Sequence, residues 1–111
     1  RKSLDASGAA IWEWDIKNDI VEVTNSFLKL FGLLEMKETS LSFKMLAPMV
    51  HPDDLPVMEK MLTAHFKGEI PKMEFEYRQK RLDTNQYEWY YFIGSVIERD
   101  DTGKALKALG Y

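Results

Sequence analysis

Two periodicities alternate along this chain, and they divide it into strands and helices. From Ile11 to Ile16, the apolar Trp12, Trp14 and Ile16 alternate with Glu13 and Asp15, the period of two expected of a half-buried strand. Lys17, Asn18 and Asp19 form a polar turn, in which Asn and Asp tolerate left-handed backbone. Ile20 to Thr24 then reads as a second strand, so the two make a hairpin. Thr24 or Asn25 caps a short helix from Ser26 to Phe31, whose apolar face carries Phe27, Leu28, Leu30 and Phe31 and which Gly32 ends. The stretch from Leu33 to Leu46 is less regular, with one or two helical turns expected between Ser40 and Leu46.

From His51 to Gly68 the period lengthens to that of a helix, with Met58, Met61, Leu62 and His65 recurring on one stripe beside Val57 and Phe66. Pro52 suits a first helical turn, Asp53 and Asp54 suit the positive end of the helix dipole, and Gly68 is a stop. Period two returns from Lys72 to Arg81, with Met73, Phe75 and Tyr77 on one face and Glu74, Glu76 and Arg78 on the other. After a loop at Leu82 to Gln86 comes the longest strand, Tyr87 to Asp100. It is apolar on both faces near its middle: Trp89, Tyr91 and Ile93 alternate with Tyr90, Phe92 and Gly94. Such a strand belongs inside a sheet with cover on its second face. Asp100 to Gly103 is a hairpin turn, and Lys104 to Tyr111 is the last strand. This order specifies the α+β class, an antiparallel sheet with helices packed on one face and the helix at His51 to Gly68 as its lid.

A length of 111 residues argues for one domain. With no cysteine, disulfides, thiolate metal sites and cysteine nucleophiles are excluded. The net charge of −3 is spread along the chain, so no basic footprint for nucleic acid exists. No apolar run reaches the roughly 18 residues that span a bilayer. The expectation is a cytoplasmic domain without direct membrane contact. The chain starts at Arg1 and stops inside its last strand, which reads as a piece of a longer polypeptide. Residues 1–10 would be the tail of an upstream segment or an N-terminal cap, and residues 11–111 the domain.

Seven short segments occur in an order that resembles one known family. They are W-E-W-D-I at Trp12 to Ile16, F-L-K-L-F-G at Phe27 to Gly32, V-H-P-D-D-L at Val50 to Leu55, A-H-F-K-G at Ala64 to Gly68, F-E-Y-R at Phe75 to Arg78, Y-E-W at Tyr87 to Trp89 and E-R-D-D-T-G-K at Glu98 to Lys104. Together they resemble the PAS sensor domains, in the subclass common in bacterial sensor histidine kinases and cyclic-di-GMP enzymes. The resemblance implies a five-stranded antiparallel sheet in spatial order 2-1-5-4-3, counted along the chain, with the long helix across its inner face. It also implies a regulatory module of a multidomain signalling protein, a histidine kinase first and a diguanylate cyclase or phosphodiesterase second. The effector domain would be attached beyond Tyr111, where the family's D-I-T-like junction and helical linker would follow. The strand from Lys72 to Arg81 becomes a sheet edge, which Lys72, Arg78, Lys80 and Arg81 would protect against strand addition.

No nucleophile, base and orienting group stand together in the sequence, so the reading is a non-enzymatic domain. Glu74 and Glu76 share a strand face, as paired glycosidase carboxylates would, but a charged row followed by Arg78 reads as solvated surface. The aspartate pairs Asp53–Asp54 and Asp100–Asp101 lack the spacing of a cation loop and read as cap and turn. His51 belongs with the loop before the long helix. In the PAS fold, Trp14, Met58, Met61, His65, Phe75, Tyr77 and Trp89 would surround an inner cavity, with a plain packed core as the first reading of the same residues. A cavity so lined suits a small-molecule ligand or a flat cofactor. Haem held by His65 and a noncovalent flavin are the two candidates, behind no cofactor at all. A flavin–cysteine adduct is excluded. A homodimer is the other expected partner, because the doubly apolar strand needs cover.

Overall fold

The expected hairpin forms from β1 (Trp12–Asp15) and β2 (Ile20–Val23), whose register sets Trp12 against Val23 and Trp14 against Val21. The structure is a computed structural model and describes residues 8–111; most of the expected N-terminal tail, residues 1–7, lies outside the described residues. Thr24 organises the next step. Its hydroxyl accepts the Phe27 N–H at 3.3 Å, capping α1 (Asn25–Leu30), and also accepts the Ile11 N–H and donates to the Ala9 carbonyl.

The segment expected to be helical from Ser40 is helical only from Phe43. Ser40–Leu41 forms a short strand, β3, which pairs with β2 and buries Leu41 opposite Val21. Ser42 then caps α2 (Phe43–Leu46) through the Met45 N–H. Asp19 ties this unit to the hairpin. Held at φ 53°, its carboxylate accepts the Trp14 indole N–H at 3.0 Å, the Phe43 N–H at 2.8 Å and the Lys44 N–H at 3.1 Å.

The long helix, α3, runs from Leu55 to Phe66 rather than from His51. His51 to Asp54 is a separate turn, in which the His51 carbonyl accepts from the Asp54 and Leu55 N–H groups and the His51 Nδ1 from the Asp53 N–H. Asp54 stands at the N-cap position, yet its side chain makes no capping bond. It reaches sideways to β4 (Met73–Lys80), accepting from the Arg78 backbone N–H at 2.7 Å and from the guanidinium at 2.8 and 3.0 Å. The C-terminus of α3 behaves as expected. The Gly68 N–H reaches the His65 carbonyl, the Glu69 N–H reaches Ala64, and Gly68 sits at φ 81°, a Schellman stop.

β5 (Tyr87–Arg99) and β6 (Ala105–Gly110) complete a six-stranded sheet in the order β3-β2-β1-β6-β5-β4. This is the expected five-stranded order with the short β3 added beyond β2, and β4 is the expected edge. All neighbours pair antiparallel. The inner face carries Trp12 and Trp14 on β1, Ala108 and Gly110 on β6, Tyr90, Phe92 and Gly94 on β5, and Met73, Phe75 and Tyr77 on β4.

A cross-strand glycine pair decides how that face packs. Gly94 on β5 lies opposite Gly110 on β6, which also pairs with Trp12. The Trp12 ring occupies the space that a side chain at either glycine would need. Laid flat there, the indole stacks on Phe92 at 5.0 Å, and Phe92 stacks on Phe75 at 4.8 Å, so one aromatic layer spans β1 to β4. The helices rest on it through Leu28, Met58 and Leu62, all buried. Among the described residues no helix is long and apolar enough to cross a membrane.

Two consequences can be measured. A methyl group in Gly94→Ala would meet the Trp12 ring and the Leu109 carbonyl. Overpacking of this kind costs roughly 1–3 kcal/mol, to be read as a lower urea midpoint at an unchanged slope. The second concerns Asp54, whose carboxyl the hydrogen bonds from Arg78 hold down at about 2. A depressed carboxylate contributes stability above its unfolded value of roughly 4 and loses that contribution as pH falls through its folded value. Asp54→Asn is therefore expected to be less stable than the parent protein at neutral pH, and the gap should close between roughly pH 4 and 2 in urea titrations across that range.

Candidate functional site

Where the helices meet the aromatic layer they leave a cavity of about 80 Å³. Its sheet side is formed by Trp12, Trp14, Tyr77 and Phe92. Its helix side comes from Phe27 and Phe31 around α1, Phe43 and Leu46 of α2, and Met58 and Leu62 of α3. Trp14 is braced between Phe43 at 5.3 Å and Phe66 at 5.7 Å, and its N–H is held by Asp19. Among the described residues no charged side chain lines the space.

Two buried polar side chains do, Tyr77 and Gln79, both on the inner phase of β4. The Tyr77 hydroxyl donates to the Gln79 Oε1 at 3.2 Å. Burial pushes the Tyr77 phenol far up, and Tyr90 beside it acts in the same direction, so Tyr77 stays a neutral donor. Gln79 is 3% exposed, and its Nε2 has no hydrogen-bond partner among the described residues.

Of the side chains expected around a cavity, Trp14, Met58 and Tyr77 line it. Phe75 stands one ring away, stacked under Phe92. The other three correct the expectation. Met61 lies at the edge of the stripe through Met58, Leu62 and His65 and turns out of the core into a shallow surface groove with Val57 and Lys60. Trp89 is on the opposite sheet face, 65% exposed, with the Arg78 guanidinium 5.0 Å over its ring. It pairs with Arg78 in register, and Arg78 points outward.

His65 is buried but outside the cavity. Its Nε2 lies 2.9 Å from the Val96 N–H and its Nδ1 2.9 Å from the Ile70 carbonyl. A backbone N–H can only donate, so Nε2 accepts and the proton sits on Nδ1. Arg99 adds to this contact by donating to the Phe66 carbonyl at 2.7 Å, the His65 carbonyl at 3.3 Å and the Gly103 carbonyl at 2.8 Å. Together the two side chains bind the end of α3 to β5 and to the turn before β6.

These residues do not fit haem or a flavin. Both nitrogens of the one imidazole on α3 are engaged, and the imidazole does not face the cavity. A cofactor-sized pocket is also several times larger, roughly 300–1,000 Å³. Among the described residues no three His, Cys, Asp or Glu side chains gather as metal ligands.

The sequence held a signal for Gln79, since period two places it in phase with Met73, Phe75 and Tyr77. It held none for Phe43 and Leu46, which sit in the irregular stretch and reach the cavity only because Asp19 positions α2.

Residues 20–111 match the family described as PAS fold. The hybrid signal transduction histidine kinase I of Dictyostelium discoideum is 23% identical over 106 residues, a match that spans 96% of this chain and 6% of that protein. Among solved structures, a sensory box histidine kinase/response regulator from Burkholderia thailandensis superposes with a TM-score of 0.81 at 22% identity, covering 99% of this chain and 80% of the other. The N-terminal domain of a diguanylate cyclase with a PAS/PAC sensor from Marinobacter aquaeolei gives 0.73 at 23% identity, with 92% and 91% covered.

Proposed function

The chain belongs to the PAS family, and on that premise we propose that it is a sensor and signal-relay module of a multidomain signal-transduction protein. A histidine kinase is the first candidate for the parent and a diguanylate cyclase the second, after the similar proteins. The module itself is regulatory and carries no catalysis. It works in the cytoplasm on an effector attached beyond Tyr111.

The observation that carries this reading is the clamp between α3 and the last hairpin. Met58 and Leu62 touch the cavity, and His65, on the same stripe, holds the Val96 N–H while Arg99 holds the helix end. A change of occupancy in the cavity that moves α3 is thereby passed to β5 and β6. Transmission requires two arrangements of these elements with different affinities for the ligand or for the output domain.

A chimera tests it. With the chain in place of the sensor domain of a hybrid histidine kinase, autophosphorylation should proceed, and His65→Phe should shift its level several-fold while the chimera remains folded. Levels identical in the folded parent and variant chimeras would overturn the relay.

One further observation favours a second role, dimerisation through the outer sheet face. Trp89, Tyr91 and Ile97 are exposed there. The outer row of β4 reads Glu74, Glu76, Arg78, Lys80, acidic at one end and basic at the other. A second copy related by a two-fold axis would set each acidic end against a basic one, and such a face is self-complementary. Light scattering on the purified domain should give a dimer that Trp89→Glu converts to monomer. A parent protein that stays monomeric at high concentration would refute it.

A further inference from the structure

Among the described residues, the Gln79 amide carries a buried side-chain nitrogen without a hydrogen-bond partner. Buried polar groups are nearly always satisfied, and an unpaired one is unfavourable. The Nε2 of Gln79 carries two donor hydrogens without a partner among the described residues, and the Gln79 side chain lines a cavity whose other buried lining is aromatic or aliphatic apart from Tyr77. Turning the amide end for end is worse. Nε2 would then donate to the Tyr77 oxygen, leaving both Oε1 and the Tyr77 hydroxyl proton unpaired. The orientation with Oε1 on Tyr77 is the better satisfied one; Nε2 itself is fully enclosed, so a ligand reaches it when the side chain rotates toward the cavity that Gln79 lines.

We propose that the cavity is a receptor site for a small neutral compound with one hydrogen-bond acceptor oxygen, of the ketone, aldehyde or amide class, whose oxygen takes the Gln79 Nε2 donor. This rests on reading the inner cavity as the sensing site, and it specifies the class of ligand. Size follows from volume. An apolar cavity of roughly 150 Å³ takes benzene, so about 80 Å³ suits about three to five non-hydrogen atoms. Neutrality follows from the lining, because among the described residues no cationic side chain would compensate a buried carboxylate or phosphate. The acceptor follows from the donor. A site built to hydrogen-bond a ligand group discriminates strongly against the analogue lacking it.

The probes are acetone and xenon, observed by two-dimensional nitrogen–proton NMR for the side-chain amide and carbon–proton NMR for the methyl groups of the intact chain. Xenon reports an apolar cavity of any kind, and acetone reports the donor within it. Acetone is expected to shift the Gln79 side-chain amide signals saturably at roughly millimolar concentration, within the efficiency ceiling of a four-atom ligand. Xenon should shift the methyl signals of Met58 and Leu62. Gln79→Leu should keep the xenon response and lose the acetone response, with Gln79→Met as the second isostere should the first not fold.

Xenon binding without a saturable acetone shift leaves the cavity in place and overturns the acceptor class. Absence of both responses removes the cavity and the sensing site with it. An acetone shift that persists in both folded variants, or a long-lived water on the Gln79 amide that acetone does not displace, also overturns the proposal.

Discussion

The flat seat of the Trp12 indole on the Gly94–Gly110 pair is the contact on which the rest of the inner face depends. Three strands contribute to it: β1 the ring, β5 and β6 the absence of side chains. With any larger residue beneath it the indole would stand away from the sheet, and the stack through Phe92 to Phe75 would be broken. Because the layer is flat and continuous, the helices rest on it through Leu28, Met58 and Leu62, and they leave a cavity between rings rather than an interdigitated core.

Within this apolar framework two buried polar side chains have opposite standing. His65 has both nitrogens engaged and a guanidinium at its carbonyl, so it is a structural joint between α3 and the last hairpin. Gln79 has one partner for an amide that can hold several. A satisfied network rigidifies, whereas an unpaired buried group is costly to keep. The cavity wall and the joint share α3, so the proposed recognition and relay would lie in series along one helix.

Much of the candidate site was legible in the strand and helix phases. Periodicity put Trp14, Met58 and Tyr77 on apolar faces, the family resemblance turned those faces toward a cavity, and all three line it. Trp89 was misplaced because β5 is apolar on both faces, so its alternation could not say which set turns inward. The Trp12 seat decides this, since Gly94 must lie under the ring and Phe92 and Tyr90 share its phase. The larger, more hydrophobic Trp89 is thereby sent outward, where Arg78 covers it. Met61 was misplaced for a simpler reason: it stands at the margin of the stripe, about a fifth of a turn from its centre at 3.6 residues per turn, and there the helix surface already faces the outer groove.

Local chemistry determined from sequence alone those features that need only near neighbours. These are the first hairpin and its turn at Asp19, the Thr24 cap, the stop at Gly68 and the turn held by Asp100. The tertiary structure decided every feature in which a side chain had more than one candidate partner. Asp54 had a helix N-terminus beside it and chose Arg78, which offered three hydrogen bonds. Asp19 left its turn for the first residues of α2, and Ser40–Leu41 became a strand because β2 had an open edge. Propensity and period act over a few residues, while these choices join groups about 20 to 25 positions apart. They are settled only when the chain closes and unpaired donors, acceptors and strand edges are removed from water together.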